Sequence, residues 1–556
     1  MWRRVRFPPS LGVLALYLAL SLVFFGRPVL DAPDQVGVGS GNDPNLFMWM
    51  LAWWPHAIGH GLDPLYTHLL FAPGGFNLTW TTSIPGPGLL VAPITEAAGP
   101  IVAYNVLALL APALSAFTAF LLCRHLTGRM WPSVVGGYIF GFSSYVIAAL
   151  AGGHLHLSLV AMIPLCLLLV LRHVEGSLRT WHFVGLLSVC LIAQFVTSSE
   201  QLVLFTIFGG LALLVVLVFS EHRRRVARTA GLIALAYGVM AVVVSPLIYY
   251  TLFKSGTTPQ GSPDVYAADL SNFVVPTPLT RFGSRHLPAI SNTFRGNFTE
   301  QGAYLGIPLL VIVGLFAAAR PKRIGDRALV VVFVAAAIMA LGTTLHVSGV
   351  PAKVWMPWKV VNGLPLIHYA LPARALAYVF LAAGLMVALW LAQRPSLGRS
   401  LVAALAVVSL VPDSGLFRYQ QTYVGPHLYA PPRFITAGAY RRWIERRDRV
   451  LVIPFGDARG MQWQLRAHMG FVLVGGYVQH LPDAYLRWPI VNSLLTNTVN
   501  RDAGPDLRRF MAAKRVTVIL VSERHPGPWP GLLRRMGLTP TRLDGVLFYR
   551  VRPRSS

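Results

Sequence analysis

Asp43 is a carboxylate followed directly by a proline, in the stretch GVGSGNDPNLFMWMLAWWPHAIGHGLDP that begins at Gly37. The stretch is the first long polar interruption of an otherwise membrane-embedded sequence, and it holds a carboxylate at the membrane surface as a candidate for chemistry. The simpler reading of Asp-Pro is a helix N-cap with Pro at N1, worth about 1 kcal/mol. The two are compatible, since a helix fixed at its start would position the acid. His56 and His60 are one helical turn apart with Asp63 close by, a spacing that suits a metal or polar contacts to a sugar or phosphate. His154 and His156 form a second pair in the turn GGHLHL, and polar contact with a sugar is the reading preferred for both pairs. Glu200, in TSSEQ, sits at the end of an apolar run, where insertion of a charge costs roughly 2.5–3.5 kcal/mol, so it reaches the surface or a polar cavity. Arg374, in LPLIHYALPAR, and Lys359 are cations beside the membrane that could pair with a phosphate or serve as interfacial anchors.

The elements that must hold these groups are membrane spans. The chain has 556 residues, of which 54% are hydrophobic and only 12% charged, too apolar for a soluble domain of this size. Apolar runs predict eleven spans, the first at Leu11–Phe25 and the others near 100–122, 133–151, 157–171, 182–198, 202–219, 230–252, 303–319, 328–345, 375–392 and 400–412. The first follows Arg3, Arg4 and Arg6 like a signal peptide, yet it has no small-residue cleavage site near Asp31 and reads as an uncleaved helix. Basic residues alternate between connections, including Arg124 and Arg129, Arg172 and Arg179, Arg223 to Arg228, Arg320 to Arg327, and Arg394 and Arg399. This puts the N-terminus in the cytoplasm and the tail outside a plasma (inner) membrane. The long connections 31–99, 253–302 and 346–374 then share the outer face, and the segment from Pro44 reads as a Trp-rich helix lying in the interface.

Residues 1–413 therefore form a membrane domain and residues 414–556 a small extracytoplasmic α/β domain. In the tail, RVLVIPF, FVLVGGYV, VTVILVSE and VLFYRV read as buried strands, with helices at DLRRFMAAKR and GLLRRMG.

The formal charge of +26 does not imply nucleic acid. Cytoplasmic segments carry 17 Lys/Arg against 3 acids, and the outer segments before Ser414 carry 8 against 10. The tail carries 22 against 8, a surplus suited to anionic lipid or phosphate groups. Gly37 to Gly41 is glycine-rich but follows a span instead of a strand, so it reads as a flexible hinge and not a phosphate loop. Three cysteines without CxxC pairing indicate neither a disulfide framework nor a zinc site.

This layout resembles the GT-C superfamily of integral-membrane glycosyltransferases, which have many spans, an acidic residue in a large first external loop, interfacial helices there and an external C-terminal domain. The motif that carries the likeness is Asn42-Asp43-Pro44, supported by NLTWTTS and PAR segments similar to those of actinobacterial membrane proteins of this kind. Length and Arg-rich composition are similar to mycobacterial mannosyltransferases that decorate lipoglycans. Many GT-C enzymes have a paired acidic motif where this chain has Asn42, Asp43 and Pro44, which makes Asp34 the reserve base.

The resemblance implies an inverting, polyprenyl-phosphate-sugar-dependent glycosyltransferase. Its partners would be a polyprenyl-phosphate-linked sugar donor, mannose favoured, an extracytoplasmic glycan or lipoglycan acceptor, and membrane lipids, with no nucleic acid. Asp43 would be the base, while Arg374 and Lys359 would hold the donor phosphate without a metal or other cofactor. His56, Asn77, Trp80, His154, His156 and Glu200 would contact sugar or acceptor. The alternatives are a polytopic transporter or lipid flippase and a non-catalytic assembly protein. Polar material concentrated at one face, without repeats, weighs against transport.

Overall fold

The computed structural model describes residues 9–254, 263–283, 287–319, 323–364, 370–413, 423–424, 431–479 and 481–551. Arg3, Arg4, Arg6 and Arg320, and parts of the second and third long loops and of the early tail, lie outside these residues. Among the described residues seven helices are long and apolar enough to cross a membrane: Pro9–Asp31, Pro100–Thr127, Met130–Ala151, Leu155–Val174, Ser199–Phe219, Arg223–Val243 and Pro372–Gln393. Shorter apolar helices, Thr180–Phe195, Ile307–Ala318, Ile324–Ala340 and Leu397–Ser409, occupy the remaining predicted positions. The chain is a polytopic membrane protein.

Met130–Ala151 and Pro372–Gln393 are enclosed by their neighbours nearly throughout. Ser199–Phe219 and Arg223–Val243 leave most of their apolar surface uncovered by protein, as helices facing lipid do.

The Asp43–Gly59 helix does not lie open on the membrane surface. Trp49 and Trp53 are fully buried, and neighbouring Leu46, Phe47, Met50 and Leu51 are equally enclosed. The reason is the tail, whose helix Arg459–Arg466 packs against it. Trp49 Nε1 donates to Gln464 Oε1 at 2.8 Å, and Gln462 Nε2 donates to Asn45 Oδ1. Trp53 and Trp54 donate to the carbonyls of Pro64 and Ser83 at 3.0 and 2.7 Å. Each indole finds its partner in protein, as buried tryptophans require.

The tail strands form one five-stranded sheet in the order 541–543, 546–550, 518–522, 449–453, 472–473. The last three run parallel to one another, and 546–550 pairs antiparallel with both 518–522 and 541–543. FVLVGGYV contributes only Val472–Leu473, and its outer edge is taken by the first loop. Leu473 N–H donates to Leu69 O at 2.9 Å, and Ala72 N–H returns to Leu473 O at 3.0 Å.

Candidate active site

Asp43 is the first residue of its helix, with Asn42 as N-cap, and its carboxylate does not cap the helix. It is 13% exposed and is held by two groups from distant parts of the chain: His154 Nε2 stands 3.1 Å from Oδ2, and the Tyr477 hydroxyl donates to Oδ1 at 2.7 Å. An ionised carboxylate only accepts, so His154 carries its proton on Nε2. Burial pushes the Asp43 carboxyl up, but the His154 hydrogen bond and charge and the Tyr477 hydroxyl outweigh it and hold the acid below its ordinary range.

Close backbone packing brings His154 there. Gly39 (φ +103°) lies against Gly153 (φ +69°), which lies against Pro44. A Cβ at Gly39 would meet Gly153 Cα at 2.4 Å, and one at Gly153 would meet Pro44 Cγ at 2.3 Å. Ser40 fastens the two segments, its N–H and hydroxyl both donating to Ala151 O, at 2.9 and 2.8 Å. The glycine-rich stretch is thus a fitted backbone contact and not a hinge.

From His154 a chain of charges continues inward. His154 Nδ1 is 3.7 Å from Glu300 Oε1. Glu300, in the one-turn helix Phe298–Glu300, takes both terminal nitrogens of Arg374 in a bidentate pair, with Nη2 to Oε1 at 2.9 Å. Arg374 Nε lies 3.8 Å from Glu200 Oε2, and Glu200 Oε1 accepts Leu371 N–H at 2.7 Å. Gln201 ties this end down, donating to the Tyr145 hydroxyl at 2.6 Å while its carbonyl accepts from Tyr378. A narrow cavity lined by Tyr145, Ala149, Glu300, Gly302 and Arg374 runs beside the pair.

The structure therefore brings Asp43, His154, Arg374 and Glu200 into one ionic chain and adds two residues the sequence reading missed. Glu300 stands three residues before a predicted span, the same signal that singled out Glu200. Tyr477 was hidden inside a predicted strand. His156 is buried two residues from His154, the two rings 6.4 Å apart, and its ring is 5.5 Å from Phe47. His56 lies at the far end of the Asp43 helix, thirteen residues or roughly 20 Å along its axis, its ring tilted against those of Trp53 and His60. Burial and the neighbouring His60 depress its pKa.

Asn77 is buried and donates to the carbonyls of Tyr250 and Lys254 at 2.9 and 3.0 Å, pinning the end of helix Ser245–Phe253. Trp80 closes the one-turn helix that follows Asn77 and is half-buried. Lys359 is exposed on the short helix Trp358–Asn362. Asp34 is exposed, its carbonyl accepting from Arg466 at 2.9 Å. Among the described residues no three His, Cys, Asp or Glu side chains converge as a metal-ligand set.

A sequence-family model described as "Domain of unknown function (DUF6311)" matches residues 14–411. The chain belongs to the DUF6311 family. No curated protein sequence matches it. Solved structures do resemble this DUF6311 protein in fold. The arabinofuranosyltransferase AftD from Mycobacteria superposes with a TM-score of 0.62 at 13% identity, over 98% of this chain and 40% of that one. The Archaeoglobus fulgidus oligosaccharyltransferase superposes at 0.57 with 11% identity, over 98% and 74%. ArnT from Cupriavidus metallidurans, bound to undecaprenyl phosphate, superposes at 0.52 with 10% identity, over 97% and 98%. The DUF6311 chain spans 40% of the length of AftD and nearly all of ArnT. It has the GT-C fold that these glycosyltransferases share.

Proposed function

We propose that this DUF6311 protein is an inverting glycosyltransferase that moves a sugar, mannose first among the candidates, from a polyprenyl phosphate to an extracytoplasmic glycan or lipoglycan. The observation that carries the reading is the chain Asp43–His154–Glu300–Arg374–Glu200, built into a GT-C fold. In this reading the four short apolar helices complete eleven crossings, the N-terminus is cytoplasmic and residues 414–556 lie outside. The undecaprenyl phosphate bound by ArnT supports a lipid phosphate as the donor carrier.

The acceptor hydroxyl gives its proton to Asp43 while its oxygen bonds to the anomeric carbon. The bond from that carbon to the phosphate oxygen breaks with its electron pair, and the lipid phosphate departs from the opposite face. A carboxylate held this acidic is ionised at neutral pH and takes the proton late, once bonding has acidified the hydroxyl. His154 and Tyr477 each occupy one carboxylate oxygen and fix its orientation, leaving the remaining lone pairs for the acceptor.

Arg374 is the proposed phosphate partner inside the protein. Both its terminal nitrogens engage Glu300, while its Nε makes no hydrogen bond and faces Glu200 at 3.8 Å, so a phosphate would approach the Nε edge in place of Glu200. Lys359 is the proposed exposed partner. His56, Asn77, Trp80, His156 and Glu200 remain the proposed polar or stacking contacts for sugar and acceptor.

The test is transfer from synthetic polyprenyl phosphosugars in purified, detergent-solubilised protein. Asp43→Asn is expected to lower transfer by about 10²-fold or more without loss of the folded protein. Full activity in that variant would remove Asp43 as the base. Absence of transfer with mannose, arabinose and glucose donors alike would favour a transporter or flippase.

A further inference from the structure

The carboxyl ends of the three parallel strands point toward the Asp43 helix. Strand 449–453 leads through the loop 454–458 into helix Arg459–Arg466, whose first residues meet that helix. Ala458 N–H donates to Asn42 Oδ1 at 3.1 Å, one residue from Asp43. Strand 472–473 leads to Tyr477, already on Asp43.

From strand 449–453 the chain crosses to 472–473 on one side. It then returns through helix Ala503–Lys514 to 518–522 on the other. Parallel strands whose connections diverge in this way leave a crevice outside their carboxyl ends, the position at which open α/β sheets take ligands.

Three charged or titratable groups belong to the segments that follow these carboxyl ends: Asp457 in the loop after 449–453, Arg459 as the first residue of the helix beyond it, and exposed His525 in the loop after 518–522. Arg459 is 6% exposed; its Nη2 is 3.2 Å from Asp457 Oδ2, while Nε and Nη1 are buried and meet no acceptor. Burial raises the Asp457 carboxyl, and the charge of Arg459, the Arg459 N–H that donates to Oδ1 at 3.0 Å and the charge of His525 only partly oppose this. A buried guanidinium with two unmatched donors, one on each side of the Asp457 contact, is a poor structural filler, because unmade hydrogen bonds cost stability, and either donor suits an oxyanion oxygen. The surplus of positive charge on the tail would draw such a group in.

We infer that this crevice binds the acceptor through an oxyanion, a phosphate or carboxylate carried on a sugar, with Arg459 as its anchor and His525 at its rim. The inference rests on the transferase reading, since it makes the crevice the acceptor side of the Asp43 centre. It defines a substrate class: anionic sugars over neutral ones.

The test is equilibrium binding of mannose 6-phosphate, glucuronate and mannose to the full-length protein in detergent, followed by calorimetry. The wild type is expected to bind at least one charged sugar about tenfold more tightly than mannose, the worth of one charge-assisted pair. The two charged probes separate phosphate from carboxylate. Arg459→Gln is expected to erase the preference and Arg459→Lys to keep part of it. His525→Ala, at an exposed loop position, is expected to weaken binding of the charged sugar severalfold and serves where the Arg459 variants do not fold.

Equal affinity for charged and neutral sugars overturns the inference. So does a charge preference that survives both Arg459→Gln and His525→Ala. Transfer to neutral acceptors without any charge preference removes this inference and leaves the transferase; a charge preference without transfer from any donor removes the transferase and leaves an anion site.

Discussion

The Tyr477 hydroxyl donates to Asp43 Oδ1 at 2.7 Å across 434 residues of sequence. One bond therefore joins the first long loop to the tail at the atom proposed to accept a proton, and it is one of the groups that hold the Asp43 carboxyl below its ordinary range. Tyr477→Phe removes it without changing the ring. The Asp43 pKa should rise, and the acid limb of the pH profile of kcat/KM should move to higher pH, because the base is then lost to protonation sooner as pH falls. The sign for stability follows. A depressed carboxyl contributes above its unfolded value, about 3.9, and the contribution disappears as pH falls through the folded value. Thermal unfolding of wild type and Asp43→Asn should therefore converge below about pH 4. An acid limb unmoved in Tyr477→Phe would contradict this account.

Arg374 neutralises carboxylates on both sides, with Glu300 bidentate and Glu200 3.8 Å away. Arg374→Gln leaves two enclosed acids without their cation, and the cost expected from breaking a buried pair is about 3–5 kcal/mol. Adding Glu300→Gln removes one of those charges, so Glu300→Gln/Arg374→Gln should be more stable than Arg374→Gln alone. Thermal unfolding in detergent gives the order directly, and equal or greater damage in the double variant would deny the coupling.

Gly39 and Gly41 both have positive φ, +103° and +76°, but only Gly39 is crowded by backbone. Alanine at either position meets the same kind of conformational strain. At Gly39 it also meets Gly153 and forces the His154 turn away from Pro44. Gly39→Ala should therefore destabilise by about 1–3 kcal/mol more than Gly41→Ala and lower transfer through misplacement of His154. Matching behaviour of the two variants would leave only the φ preference.

The polytopic membrane character and four members of the ionic chain could be read from sequence for one physical reason. Asp43, His154, Glu200 and Arg374 are polar groups at the ends of apolar runs, where the cost of burying them leaves few explanations. Glu300 obeys the same logic, but its pairing depends on a loop folding back over Tyr145 and Gly302, which no local pattern encodes. The Trp-rich helix was read as interfacial because an apolar face shows that something covers it, not what. Its cover is the Arg459–Arg466 helix, more than 400 residues later, as the 415-residue separation of Trp49 and Gln464 records. Tyr477 was lost for a related reason: its predicted strand stops where the first loop occupies the sheet edge.

That edge has a consequence for handling the molecule. With Leu69 to Ala72 bonded along Leu473, the outermost parallel strand is closed by a segment of the amino-terminal half. A tail produced alone from about residue 431 would carry an unpaired parallel edge, together with the uncovered face of Gln462 and Gln464, into solution. Open edges of this kind recruit other strands. The expected behaviour of such a fragment is self-association, and the two halves are best regarded as one unit of expression whose sheet is completed only when its first loop is present.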